Sequence, residues 1–472
     1  MGLGQSQTTE LLEKLRGRQA DIKDIINTES ILYTMPLLNF LHRIYTSIRP
    51  PTAPKQDDAL RFGLLGASNI APLALIAPAK SHPEVIVAAV AARDRKKAEA
   101  YAKKHQIPIV HDSYQALLDD PAISCVYIAL PNSLHYEWAL RALRAGKHVL
   151  LEKPSVSNAV EARALFEHPL VTAPNAPVLL EAFHYRFHPA WQTFLSLIRR
   201  DPLAGPVVRA SVYQYAPKGF MPEDDIRFQY ALAGGCMMDF GTYNLSCLRQ
   251  ILDDARPEVL SASYRGMPPP RKKGLQPEPQ IDQAITATYR SRSGAIGHLE
   301  ADLATAGGFP AFLPASWTKN WPSIGWPKCV IELGEKTVDE SSSSSSTEGT
   351  SHTVQRTVTL WNHLQPTFYH RIDVRDTHTI RQGSQVVRRW TESKQIKAYD
   401  WPEKHPGRNN NSGAAWWTTY RYQLEEFVHR VKGRAGSRVW IDGADSIAQM
   451  EVIDRTYEKA GLAVRPTSSF TV

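Results

Sequence analysis

Two stretches of this 472-residue chain carry side chains whose types and spacing suit chemistry. The first is Ala145-Gly-Lys-His-Val-Leu-Leu-Glu-Lys-Pro154, where an apolar run from His148 to Leu151 passes straight into a Glu152-Lys153-Pro154 turn. If the run is a buried strand, the turn lies at its carboxyl edge, where open α/β sheets bind their ligands. Lys153 is then placed to act on a ligand; the plainer alternative is a surface lysine capping a strand. The second stretch is Gly234-Gly235-Cys-Met-Met-Asp239-Phe-Gly241-Thr-Tyr243. Asp239 and Tyr243 stand four apart, so on a helix they share one face and reach one ligand. The alternative has both packing a helix start onto a sheet, with Gly241 easing the close approach.

The elements that must position these residues follow from the hydrophobic pattern. From Leu60 onward strands alternate with helices, which predicts a doubly wound parallel sheet. Strands are expected at 61–65, 85–91, 124–129, 148–151 and 178–182, with the clearest helices over 94–104 and 134–145. The first strand leads into Gly63-Leu-Leu-Gly66-Ala-Ser68-Asn69-Ile70-Ala71, a degenerate dinucleotide fingerprint. Gly66 makes the tight turn, the amides around Ser68 and Asn69 and on to Ile70 face a pyrophosphate, and Ala71 lets the helix pack closely. Ser68 stands where a second glycine is usual. At the end of the second strand, Ala91-Ala92-Arg93-Asp94-Arg95-Lys96 decides cofactor choice, since arginine pairs with a 2′-phosphate and a carboxylate with a 2′-hydroxyl. Arg93, helped by Arg95 or Lys96, favours NADP; Asp94 serves NAD if it points inward, and also suits a helix cap. The strand at 124–129 runs into Leu130-Pro-Asn132-Ser133-Leu-His135. Asn132 there can bond a nicotinamide or ribose and His135 can support the loop, with Leu130 and Glu152 completing the cofactor side. Equally, Asn132 and Ser133 suit the start of a helix.

After Phe183 the pattern changes to alternating β-branched runs at 207–215, 259–264, 281–289, 295–303, 329–333 and 354–361, which predict an open, largely antiparallel sheet. Helices are expected over 416–431 and 444–459, and the serine run 341–346 reads as a disordered hairpin insertion within 337–352. Residues 1–58 read as an arm with a polar helix over 8–28, an apolar segment over 31–48 and a proline-rich linker. Its start, Met1-Gly-Leu-Gly-Gln-Ser6, matches an N-myristoylation pattern, and its apolar segment is of a kind that lies on a membrane, on another subunit or on its own protein. The α/β chain thus divides into an arm at 1–58, a Rossmann domain at 59–182 and an α+β sheet domain at 183–472.

A hydrophobic fraction of 43% and a charged fraction of 22% are those of a soluble globular protein. A formal charge of +8 without a dense Lys/Arg block argues against nucleic-acid binding. The four cysteines lack a CxxC pair, so neither a disulfide framework nor a zinc site is expected, and a reducing cytoplasmic compartment fits. The N-terminus lacks a secretory layout, and no apolar run is long enough to span a bilayer.

Taken in order, Leu-Gly-x-x-x-Ile-Ala, Ala-Ala-Arg-Asp, Leu-Pro-Asn-x-Leu-His, the Glu-Lys-Pro stretch and Glu181-Ala-Phe-His-Tyr-Arg186-Phe-His-Pro189 resemble the glucose-fructose oxidoreductase, inositol dehydrogenase and rhizopine-catabolism (Gfo/Idh/MocA) family. The resemblance covers about residues 60–250, extends to Tyr420–Phe427 and Ile453–Gly461, and is greatest to the dimeric dihydrodiol dehydrogenase and NADP-dependent xylose dehydrogenase branch. It implies a Rossmann domain, dimerisation through the open C-terminal sheet, and a pyranose- or diol-type substrate. It also implies an aspartate and a tyrosine or histidine at positions 239 and 243. Tyr243 then takes the acid–base role and Asp239 orients a substrate hydroxyl. A free tyrosine titrates near 10, so Lys153 and an oxidised nicotinamide are expected to lower Tyr243. Arg186, His188, Tyr213, Tyr215 and Arg227 are candidates for the pocket wall, although alternating tyrosines are common on half-buried strands and Arg186 suits a domain interface. The activity expected is an NADP-dependent dehydrogenation of a CH–OH carbon. The alternatives are a non-catalytic dinucleotide sensor or scaffold, and a biosynthetic enzyme acting on a non-sugar carbonyl.

Overall fold

The computed structural model describes residues 36–307, 314–319, 321–323, 325–338, 350–402, 405 and 413–471. The expected helix over 8–28, the Gly2–Ser6 pattern and the serine run lie outside them. The described part of the arm is a helix, α1 (Pro36–Ile48). It docks on its own chain: Arg43 Nε donates to the Thr367 carbonyl at 3.0 Å, and its guanidinium lies 4.1 Å from the centre of the Tyr399 ring. Leu41, Tyr45 and Ile48 stay exposed on its other side. No helix among the described residues is long and apolar enough to cross a membrane.

The first sheet comprises β1 (Leu60–Leu65), β2 (Val85–Ala91), β3 (Ile109–His111), β4 (Cys125–Ile128), β5 (His148–Leu151) and β6 (Leu179–Glu181). All neighbours are parallel, in the order β3-β2-β1-β4-β5-β6. Helices cover both faces, which is why β2 reads Val-Ile-Val-Ala-Ala-Val-Ala with no polar alternation. The order reverses between β1 and β4, so a crevice opens beyond their carboxyl ends. β3 goes unpredicted because three half-buried residues are too few to show a period. Helix α2 (Arg95–His105) follows β2, and α3 (His135–Arg144) joins β4 to β5.

The second sheet contains β7 (Val207–Pro217), β8 (Glu258–Gly266), β9 (Asp282–Arg290), β10 (Ile296–Thr305), β11 (Lys328–Leu333), β12 (Lys336–Thr337), β13 (Thr350–Trp361), β14 (Arg371–Gln382) and β15 (Gln385–Ile396). Its order is β15-β14-β13-β11-β7-β10-β9-β8, with β12 beside β13. Only the β7–β10 pair is parallel. The hairpin β14–β15 also goes unpredicted. β15 is an edge strand, nearly all exposed and rich in charge (Arg388, Arg389, Glu392, Lys394), so it carries no apolar alternation. Helices α4 (Pro189–Arg199), α5 (Thr242–Leu252), α6 (Thr419–Val431) and α7 (Gly443–Ala460) complete the framework. On β7 the buried residues Ala210, Val212, Gln214 and Ala216 turn toward α5, leaving Tyr213 and Tyr215 on the opposite, open face. Phe427 of α6 packs on Phe62 of β1 with ring centres 5.7 Å apart, tying the two sheets into one core.

Candidate active site

A cleft of about 900 Å³ opens at the carboxyl ends of β1, β4 and β5, facing loops of the second sheet. On its first-sheet side, Gly66 has φ 102°, a conformation that favours glycine. A Cβ there would lie 3.1 Å from Leu130 Cδ2 and 3.2 Å from the Ala129 carbonyl oxygen, so the turn packs on a bare α-carbon. Ser68 replaces the usual second glycine by serving the turn itself. Its Oγ accepts from the Ala71 amide at 3.2 Å, and its carbonyl accepts from the Tyr101 hydroxyl at 3.0 Å. Ser68, Asn69, Ile70, Leu130, Asn132, His135 and Glu152 all line the cleft. A bare turn, lining residues from the start of the following segment and a cleft of this size fit a dinucleotide.

Arg93 is exposed and stands outside the cleft lining, whereas Lys97, the next turn into α2, lines it. Asp94 caps α2 by accepting from the Lys97 amide at 3.2 Å, and Arg95 pairs with Glu99 and Asp112. Asn132 bridges to the other side of the cleft, donating from Nδ2 to the Ala233 carbonyl at 2.9 Å.

His135 is fully buried, with Nδ1 2.9 Å from the Pro154 carbonyl and Nε2 2.9 Å from the Leu130 carbonyl. It thereby clamps the loop after β4 to the turn that carries Lys153. Burial pushes its imidazole down to about 4, against the pull of the two carbonyls. Neutral, the ring donates to one of the two carbonyls; since the folded value lies below the unfolded one near 6.5, charging the buried ring costs stability that is present in full above about pH 6.5 and lost as pH falls toward 4, up to about 3 kcal/mol. Denaturant midpoints of the wild type and His135→Gln should therefore converge between pH 6.5 and 4.5; a constant gap would contradict the clamp.

Lys153, Asp239 and Tyr243 meet in the cleft. Lys153 Nζ bonds Asp239 Oδ1 at 2.5 Å and lies 4.6 Å from the centre of the Tyr243 ring. Arg227, also lining the cleft, donates from Nε to Asp239 Oδ2 at 2.5 Å and from Nη1 to Asp225 at 3.0 Å. Asp239 sits in the wider π-turn Met237–Gly241, which runs directly into α5 and Tyr243. Burial pushes the Asp239 carboxyl up, but Lys153 and Arg227 together outweigh it and hold the group below the usual carboxylate range. Glu152 is pushed up by burial although it accepts from the Tyr127 hydroxyl at 2.5 Å.

In the protein alone the Tyr243 phenol is held well above 10, first by burial, then by Tyr420, Glu152 and Asp239. The Lys153 ammonium beside it is bonded to Asp239 and lies against the ring. Two residues that sequence reasoning missed surround this ring. Tyr420, the second residue of α6, lines the cleft beside Tyr243 and raises its proton affinity. His184 has its ring centre 4.0 Å from that of Tyr420 and 5.4 Å from that of Tyr243, and its Nδ1 lies 2.8 Å from Thr419 Oγ1. Burial drives His184 well below 6.5, so it is neutral. Trp326, Asn362, Gln365 and Phe368 form the far wall, on loops with no local pattern to mark them.

Four of the five expected wall residues lie elsewhere. Arg186 is buried, paired with Asp445 and donating to Ser246 Oγ, so it joins α5 to α7. His188 caps α4, its Nδ1 accepting from the Ala190 amide at 3.1 Å. Tyr213 and Tyr215 face away from the cleft because β7 turns its alternate residues to α5; the Tyr213 ring lies under Lys328 at 4.9 Å. Only Arg227 lines the cleft.

A parallel sheet with a bare glycine turn at its switch point, facing a Lys–Asp–Tyr cluster across one cleft, defines the two-domain dinucleotide oxidoreductase class. The comparisons agree: residues 60–170 match the family model for the oxidoreductase family with an NAD-binding Rossmann fold, and residues 206–316 match the GFO/IDH/MocA C-terminal domain. The chain belongs to this family. It is 40% identical over 194 residues to the D-xylose 1-dehydrogenase (NADP(+)) 2 of Haloferax volcanii, covering 41% of this chain and 57% of that one. It is 30% identical over 250 residues to the trans-1,2-dihydrobenzene-1,2-diol dehydrogenase of Bos taurus, covering 52% and 68%. The chain thus spans little more than half the length of the first of these relatives. Among solved structures, KijD10, a 3-ketoreductase from Actinomadura kijaniata in complex with NADP and TDP-benzene, matches with a TM-score of 0.59 at 20% identity, over 85% of this chain and 98% of that one. The likeness to it is one of fold.

Proposed function

We propose that the protein is an NADP-dependent oxidoreductase that moves hydride between nicotinamide and a hydroxyl-bearing carbon of an aldose, cyclic polyol or trans-dihydrodiol. The observation that carries this reading is the meeting of Lys153, Asp239 and Tyr243 in the cleft onto which the Gly66 turn opens. Gly66, the segment from Ser68 to Ile70, Leu130, Asn132 and Glu152 would hold the dinucleotide, with His135 fixing the loop behind it. When bound, the nicotinamide supplies the hydride chemistry. In reduction Tyr243, protonated at neutral pH, donates its phenolic proton to the carbonyl oxygen of a substrate; in oxidation it takes a hydroxyl proton only after losing its own, which the positive charge of an oxidised nicotinamide beside it would favour. Lys153 offsets the charge that develops on the same oxygen. Asp239, held ionised between Lys153 and Arg227, accepts from a neighbouring hydroxyl and orients the substrate. His184 and Tyr420 wall off the phenol and exclude water from it.

The sugar and diol dehydrogenases among the relatives support a polyol substrate, and the NADP in the name of the xylose enzyme supports the cofactor, as does Lys97 in the cleft lining near the start of α2. A second reading, reduction of a ketone in a biosynthetic pathway, is favoured by relatives named as dTDP-sugar 3-reductases. Dimerisation through the open face bearing Tyr213 and Tyr215 belongs to the same proposal, as does a cytoplasmic location, which the four unpaired buried cysteines fit. Myristoylation at Gly2 belongs to the same proposal.

Titration with NADPH and NADH tests the cofactor assignment. Lys97→Ala and Arg93→Ala together should weaken NADPH by about tenfold or more and leave NADH nearly unchanged. Equal losses would remove the basis for NADP. A panel of aldoses, inositols and trans-diols, followed by NADPH formation, tests the substrate class; silence across it would favour the ketone reading.

A further inference from the structure

One turn beyond Tyr243 on α5, Cys247 meets Cys329 of β11 and His363, two residues past the end of β13. All three are buried, with at most 1% exposure, and their donor atoms lie within 4.8 Å of one another. Widely separated in sequence, they form no motif. Thiolates and an imidazole are the donors that thiophilic metals choose. Cys329 Sγ lies 3.6 Å from His363 Nδ1. An ion holding sulfur at about 2.3 Å and nitrogen at about 2.0–2.1 Å in tetrahedral geometry sets that same separation at about 3.6 Å.

We propose that Cys247, Cys329 and His363 bind a single thiophilic d10 metal ion, Zn2+ by charge and geometry, which pins the helix carrying Tyr243 to the second sheet. Two thiolates cancel a double positive charge, so the loaded site adds no net charge to a dry interior, where an uncompensated charge is costly. Cu+ would leave one negative charge. Cys247, Cys329 and His363 supply three of the four tetrahedral positions. His363 turns Nδ1 toward Cys329 Sγ, so this nitrogen would be the ligand, and Nε2, buried without a partner among the described residues, would carry the ring proton.

The test uses the full-length chain, produced without a histidine tag in medium supplied with Zn2+ or, in a parallel arm, with Cu+. Elemental analysis should find about one zinc per chain in the wild type and below about a tenth in Cys247→Ser and Cys329→Ser. Should the serine variants fail to fold, Co2+-loaded wild type decides by itself: a thiolate-to-cobalt charge-transfer band together with tetrahedral d–d bands is expected. Less than about a tenth of an equivalent of zinc in the wild type, or no charge-transfer band, would overturn the site. Stoichiometric Cu+ with no Zn2+ would overturn it as stated, and a full equivalent of zinc in both serine variants would place the ion elsewhere.

Discussion

Replacing Lys153 with methionine should cut turnover by about 10³-fold while dinucleotide affinity changes by less than about tenfold. Methionine keeps the apolar stem and removes only the ammonium, which touches Asp239 and the Tyr243 ring. Two losses combine. The reacting oxygen loses its nearest cation, and Asp239 loses one of the two cations that hold it ionised against burial. Arg227 still pairs the carboxylate at 2.5 Å, so the chain is expected to fold, and the Gly66 turn lies outside the substitution. Stopped-flow and steady-state rates with NADPH, beside a fluorescence titration of NADPH, check it. Turnover within tenfold of the parent would remove Lys153 from the chemistry, and a parallel collapse of NADPH binding would make it a cofactor residue instead.

The second large effect is on stability. Arg465 and Asp282 form an ion pair at 2.6 Å in which both side chains are wholly buried. Arg465 also donates from Nε to the Gly234 carbonyl at 2.6 Å, while Asp282 accepts from the Met237 amide at 2.6 Å and from the Tyr457 hydroxyl at 3.2 Å. The pair thus holds the Gly234-Gly235 segment and the π-turn bearing Asp239 from behind. Gly235 has φ 125°, and any Cβ there would run into both partners. Burial pushes Asp282 up to about 6 even with Arg465 beside it. Arg465→Met therefore leaves a buried carboxylate without its cation and should cost about 3–5 kcal/mol. Urea denaturation measures the loss, and Asp282→Asn added to Arg465→Met should recover part of it. A loss under about 1 kcal/mol would mean that water reaches the pair.

Much of the first domain was legible because its strands are buried on both faces and read as unbroken apolar runs. β1, β2, β4 and β5 each announce themselves that way. The same logic hid β3, which is too short, and β15, which is exposed along an edge. At the site, Lys153 and Gly66 were legible because each is tied to a local event, a strand end or a positive-φ turn. Asp239 and Tyr243 were legible through their spacing, and Arg227 only through its neighbourhood.

What sequence alone determined was therefore the order of the elements, the place of the glycine turn and the lysine at the end of β5. Only the tertiary structure decided which side chains face the cleft. In Glu181–Pro189 the choice fell on His184, not on Arg186 or His188, because the single turn between β6 and α4 buries the latter two against α7 and the start of α4. On β7 it turned Tyr213 and Tyr215 away, since α5 covers the other face. It also set what surrounds the Tyr243 phenol. A phenol's proton affinity is set by everything packed around it, and Tyr420 and Glu152 reach Tyr243 from distant parts of the chain. The Lys153 ammonium was near, as its position implied, but its charge was already met by Asp239, a pairing that only the folded chain brings about.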